Sequence, residues 1–80
     1  MTEAEIRKLA CEILSDIAPE TDPAALAGDS DIRAALDIDS MDFLNFIIAL
    51  NKRTDVPIPE EDYPKLFTMN GVVRYLTGSA

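Results

Sequence analysis

The stretch from Phe43 to Leu50, entered through Asp39-Ser40-Met41-Asp42, limits what this chain can fold into more than any other. Asp39 is a strong helix N-cap residue, and Asp42, three positions on, places a carboxylate where it can reach back to the cap's own N–H. The helix so opened is expected to run from about Ser40 to Arg53. On a helical wheel Asp42, Asn45, Ala49, Lys52 and Arg53 share one arc. Phe43, Leu44, Phe46, Ile47 and Leu50 occupy most of the rest, with Met41 and Ile48 at one edge. That apolar arc covers well over half the wheel, far beyond the stripe of roughly 100° on an ordinary surface helix. A helix this apolar is central to a small bundle or spends its excess on a ligand or partner. Met41 and Ile48, beside Asn45 and Lys52, are the expected exposed excess. Ser40 becomes the first helical residue, its hydroxyl in solvent at the positive end of the helix dipole.

The rest of the composition narrows the chemistry. Eighty residues make one domain, spanning 1–80, near the lower limit of what a hydrophobic core stabilises without staples. Cys11 is the only cysteine and histidine is absent, so neither an internal disulfide nor a zinc site is expected. The lone thiol and the absence of signal-peptide character in Met1-Thr2-Glu3-Ala4-Glu5 predict a cytoplasmic setting. The longest apolar run is far too short to cross a bilayer. A net charge of −8 argues against nucleic acid, which is bound by clusters of Lys and Arg. The acidity is concentrated ahead of Ser40, where Glu20, Asp22, Asp29, Asp31, Asp37 and Asp39 face Arg33 alone. No Ser–His or Cys–His pair and no glycine-rich phosphate loop is present, so no enzyme activity is expected. A calcium loop starting at Asp37 fails as well. An EF-hand needs glycine at the sixth position and glutamate at the twelfth, where this chain has Asp42 and Ile48.

Along the chain, Thr2 and Glu5 form a capping box opening a helix to about Ile17, with Ile6, Leu9, Ala10, Ile13 and Ile17 on one stripe and Cys11 off it. Pro19 stops it. Residues 18–39 are a long connection. Asp22-Pro23 can cap a short turn through Leu26 that Gly28 ends, and Asp29, Ser30 or Asp31 can cap another carrying Ile32 and Leu36. Ile32, Leu36 and Ile38 are expected to pin this connection to the core. Thr54 to Pro59 reads as extended, because each proline disfavours helix in the residue before it. Glu60-Glu61-Asp62 open a short helix that Pro64 keeps short or kinks. Thr68 caps a last helix with Met69, Val72, Val73 and Leu76 inward, ended by Gly78. The expected fold is all-α: three principal helices plus one or two short ones, with a long first crossover.

Together these features resemble the acyl and peptidyl carrier protein family. Asp39-Ser40-Met41-Asp42 is similar to the family's Asp-Ser-Leu attachment motif. Val56-Pro57-Ile58-Pro59-Glu60-Glu61-Asp62 and Thr68-Met69-Asn70-Gly71-Val72-Val73-Arg74-Tyr75-Leu76 are similar to its later segments. The resemblance implies a small acyl-carrier-like bundle. It implies that Ser40 receives a 4′-phosphopantetheine arm from coenzyme A, through a separate magnesium-dependent phosphopantetheinyl transferase. The arm's thiol would hold an acyl or aminoacyl cargo as a thioester. Further implied partners are a loading ligase and acyl-processing enzymes, and the chain is expected to act as a monomer. Asp39 and Met41 would help the transferase dock, and Asp42, Asn45, Ile48 and Lys52 complete the expected recognition face.

Two departures bear on that reading. In members serving fatty-acid synthesis the helix after the serine is typically acidic, whereas this one bears Asn45, Asn51, Lys52 and Arg53. The glycine often found before the serine is missing from Leu36-Asp37-Ile38-Asp39, so the local loop shape is expected to differ. Phe43 and Phe46 are bulky for positions that line a cargo slot in fatty-acyl carriers, which implies a shallow slot, or else a short or polar cargo. Plainer readings stand beside these. Met41 and Ile48 read equally as edge-of-core residues. Lys52 and Arg53 complement the helix C-terminus, and Cys11 reads as an inert, partly buried thiol. The rival function is a small acidic helical adaptor in which Ser40 stays unmodified.

Overall fold

The computed structural model describes residues 1–78; the expected domain also takes in 79 and 80, which lie outside the described residues. Four α-helices follow one another: α1 (Glu3–Ile17), α2 (Ile32–Ala35), α3 (Ser40–Thr54) and α4 (Met69–Leu76). Two 3₁₀ segments, Pro23–Ala25 and Glu60–Leu66, lie in the connections. No strand is present among the described residues, and the one β-bridge joins Asp31 to Thr68. The bundle is all-α, as the periodicity predicts.

α1 opens on the expected capping box. Thr2 N donates to Glu5 Oε1 at 2.9 Å, and Glu5 N donates to Thr2 Oγ1 at 3.2 Å. Its buried face is wider than the predicted stripe. Leu14 is fully buried, while Ile17 is only half-buried. The helix packs against both α3 and α4, and two neighbours bury more of the wheel than one.

α3 buries Phe43, Phe46, Ile47 and Leu50. Together with the inward residues of α1 and α4 they make one core, to which the long connection contributes Ile32, Leu36 and Ile38. That connection is therefore held down by side chains. Asp31 caps α2 by accepting Arg33 N at 2.9 Å, and Ile32 N donates to Phe67 O at 2.8 Å. Asp22 makes no side-chain capping bond, contrary to expectation; buried Pro23 begins that 3₁₀ turn.

Glu60–Leu66 is a seven-residue 3₁₀ segment with Pro64 inside it, longer than the usual three or four residues. Pro64 lacks the N–H that an α-helix would need there. Side chains hold the segment: Tyr75 Oη donates to Asp62 Oδ2 at 2.7 Å, and Lys65 Nζ lies 3.2 Å from Asp62 Oδ1. It lies so close to α4 that a Cβ built on Gly71 would collide with the Lys65 carbonyl oxygen. Only glycine fits there. α4 buries Met69, Val72, Val73 and Leu76 as predicted, and Gly78 follows it with φ 75°.

Candidate functional site

The site is built by the passage from α2 into α3. α2 ends with Leu36, and Asp37 turns the chain in the left-handed region at φ 54°. Ile38 N then donates back to Arg33 O at 3.1 Å, the long-reach bond of a Schellman turn. Glycine is the usual residue at such a position, because a Cβ opposes positive φ and aspartate is one of the few side chains that tolerate it. Here, with no glycine, the left-handed turn is carried by Asp37. Ile38 is buried, Asp39 and Ser40 are exposed, and the start of α3 at Ser40 turns the serine to the surface.

Asp39 caps α3 with extended backbone, φ −89° and ψ −178°, and its Oδ1 accepts Asp42 N at 2.9 Å. Among the described residues the reciprocal bond from Asp42 to the Asp39 N–H does not form, so the predicted box is half made. Ser40 is the first residue of α3. Its hydroxyl makes no hydrogen bond to the described residues, and the N–H groups of Ser40 and Met41 have no acceptor within them. Such free N–H groups at a helix start favour an anion, by about 0.3–1 kcal/mol at an exposed site. The neighbouring Asp39 and Asp42 carboxylates oppose it.

The other predicted recognition residues lie along the exposed side of α3. Met41 is 65% exposed and Ile48 42%, and Asn45 and Lys52 are exposed between and beyond them. Leu44 is half-buried and adds to the apolar surface between Met41 and Ile48. Asp39, Ser40 and Asp42 thus share one end of the helix, and Lys52 stands at the other.

A cluster beneath this turn was missed by the sequence reading. The Arg33 guanidinium pairs with Asp31 through two bonds, Nε to Oδ1 at 3.2 Å and Nη2 to Oδ2 at 2.9 Å. It also lies 3.6 Å over the Phe67 ring. Phe67 meets Phe43 edge-on at 5.4 Å. Arg33 holds the Asp31 carboxyl below the usual range, chiefly by hydrogen bonding. These groups come from three separated stretches of chain, so no local spacing signals them. Cys11 is half-buried, and burial pushes its thiol up, as the plain reading expects.

Residues 4–76 match the family described as "Phosphopantetheine attachment site", and this chain belongs to that family of carrier proteins. Its cofactor is covalently attached 4′-phosphopantetheine. The chain is similar to the "Acyl carrier protein" of Campylobacter fetus subsp. fetus, 32% identical over 74 residues that cover 92% of this chain and 90% of that one. It is equally similar to the "Acyl carrier protein" of Campylobacter concisus, 32% identical over 72 residues covering 90% and 87%. Among the described residues no helix is long and apolar enough to cross a membrane.

Proposed function

We propose that Ser40 is the attachment point of the phosphopantetheine arm, and that the chain presents an acyl or aminoacyl cargo to partner enzymes. The observation that carries this reading is an exposed, unpartnered hydroxyl on the first residue of α3. When bound, the arm supplies a thiol on which a cargo is held as a thioester. Ser40 Oγ would form the new bond to the phosphorus nearer the pantetheine of coenzyme A, as the pyrophosphate P–O bond breaks and adenosine 3′,5′-bisphosphate leaves. The hydroxyl proton passes to a base of the transferase complex. Asp39 holds the serine at the helix start through its bond to Asp42 N. Met41, Asp42, Asn45, Ile48 and Lys52 form the face that partners read.

The electrostatics at Ser40 favour a mobile arm. The free N–H groups attract a phosphodiester while Asp39 and Asp42 repel it, two effects of similar size. Persistent phosphate contacts in the NMR spectrum of the modified form would contradict this. The cargo is short or polar. Phe43 and Phe46 fill the inward side of α3, and a long chain entering the bundle would have to displace them. Melting temperature should therefore stay flat as the loaded acyl chain is lengthened. The setting is cytoplasmic and the working unit a monomer. The pathway is fatty-acid, polyketide or nonribosomal peptide synthesis.

The test is direct. Incubated with coenzyme A, magnesium and a broad-specificity phosphopantetheinyl transferase, the chain should gain one phosphopantetheine unit in intact mass. Ser40→Ala should gain none. An adaptor with an unmodified serine would gain nothing in either form.

A further inference from the structure

The exposed side of α3 changes chemistry along its length. Met41, Asn45, Ile48 and Lys52 recur at spacings of four, three and four, which puts them on one line down the helix. All four are exposed. At 1.5 Å of rise per residue the line is about 16 Å long. Beside its start lie Asp39 and Asp42, its body sets apolar Met41 and Ile48 on either side of Asn45, and its far end is a cation.

Lys52 is not used by the fold. Arg7, Arg33, Arg53 and Lys65 each form an ion pair within the protein, with Glu3, Asp31, Glu12 and Asp62 respectively. Lys52, Lys8 and Arg74 form none among the described residues; of these three only Lys52 stands on the exposed line of α3, in a chain whose net charge is −8. The neighbouring Arg53 turns to α1, its Nη2 3.7 Å from Glu12 Oε2. Complementing the C-terminal dipole of α3 does not need Lys52 either, since Arg53 stands in the same turn. What remains is an unpaired ammonium one helical turn from exposed Ile48.

We infer that the enzyme docking on α3 is bipolar: cationic opposite Asp39 and Asp42, apolar opposite Met41 and Ile48, and bearing a carboxylate opposite Lys52. This rests on Ser40 being the carrier site, because it orients the partner's active-site mouth toward the Asp39 end. A uniformly basic docking face matches the first half of the line and meets Lys52 with like charge. A bipolar face matches all of it and fixes the direction of docking. Specificity then comes from rejection of the wrong partner as well as attraction to the right one.

The experiment uses the phosphopantetheinylated chain and two purified probes. One is an acyl transferase with a uniformly basic docking face. The other is the same enzyme with the basic residue farthest from its active-site mouth replaced by Glu. Loading is followed as kcat/KM for wild type, Lys52→Glu and Lys52→Met, each checked for an unchanged thermal melt. On the basic probe Lys52→Glu should load about tenfold faster than wild type, with Lys52→Met between them. On the Glu-bearing probe the order should reverse. Both differences should shrink as salt rises from about 0.05 M to 0.5 M. Rates within twofold on both probes would overturn the inference, and so would a gain by Lys52→Glu on the Glu-bearing probe. If the chain takes up the arm but Lys52 is indifferent, this inference alone fails. If no arm is taken up, the carrier reading fails and this inference with it.

Discussion

The two faces of α3 obey different rules. Its inner face, Phe43, Phe46, Ile47 and Leu50, is buried to within a few per cent and touches α1 and the segments around it. Its outer face, Met41, Asn45, Ile48 and Lys52, touches solvent. The inner face is replaceable in detail but fixed in volume, because packing energy depends on filled space. The outer face contributes little to folding and, under the proposed function, carries the chemistry that partners meet. One helix therefore separates stability from function, and single substitutions should divide along the same line.

The largest effect belongs to the inner face. Phe46→Ala removes a fully buried ring and should cost about 3–5 kcal/mol, enough to unfold much of an eighty-residue chain. Urea unfolding followed by circular dichroism measures it, and a loss below about 1 kcal/mol would blur the division of labour.

The boundary between the faces comes next. Asp39→Ala removes the cap bond to Asp42 N and should cost about 0.5–2 kcal/mol. Hydrogen exchange should quicken first in residues 40–43, the start of α3, and less in α1.

Acid probes the supports that lie off α3. Asp31 and Asp62 both titrate below the ordinary carboxylate value, chiefly through hydrogen bonds from Arg33 and Tyr75 respectively. A depressed carboxyl stabilises the fold above its unfolded-state pKa, and that contribution is lost as pH falls through its folded-state value. Tyr75 is shifted upward, chiefly by its bond to Asp62, so its contribution is present at neutral pH and lost in strong base. Tyr75→Phe should lower the melting temperature at pH 7 by a few degrees at most, since the pair is solvent-screened. The difference from wild type should narrow in acid below the carboxylate range. A difference that grows with acid would reverse the assignment.

The smallest effect is the most telling for the outer face. Met41→Ala and Ile48→Ala should each change stability by less than about 0.5 kcal/mol, while slowing loading by a partner enzyme. A large stability loss would make them core residues, as the plainer reading of the sequence holds.

What could be read from the sequence follows the range of the forces involved. The caps at Thr2, Asp39 and Thr68 and the inward residues of α4 were legible because they depend on neighbours three or four positions away. Leu14 was not, because its burial depends on how the elements distant in sequence pack around α1. The Arg33–Asp31–Phe67 cluster joins stretches that only the folded chain brings together. Asp37 illustrates a middle case. The missing glycine suggested an altered loop, and the backbone there turns in the left-handed region on aspartate. At the site, the exposure of Ser40 was legible from its cap. The pairing state of Lys52 was not, since it depends on which acids the tertiary fold brings near.

Everything functional depends on which oxygen carries the arm. Fragment-ion mass spectrometry of the modified chain locates the added phosphate directly. The modification should fall on Ser40 alone, with the exposed face of α3 otherwise unaltered. An adduct on Ser15, Ser30 or a threonine, or one that persists in Ser40→Ala, would contradict it.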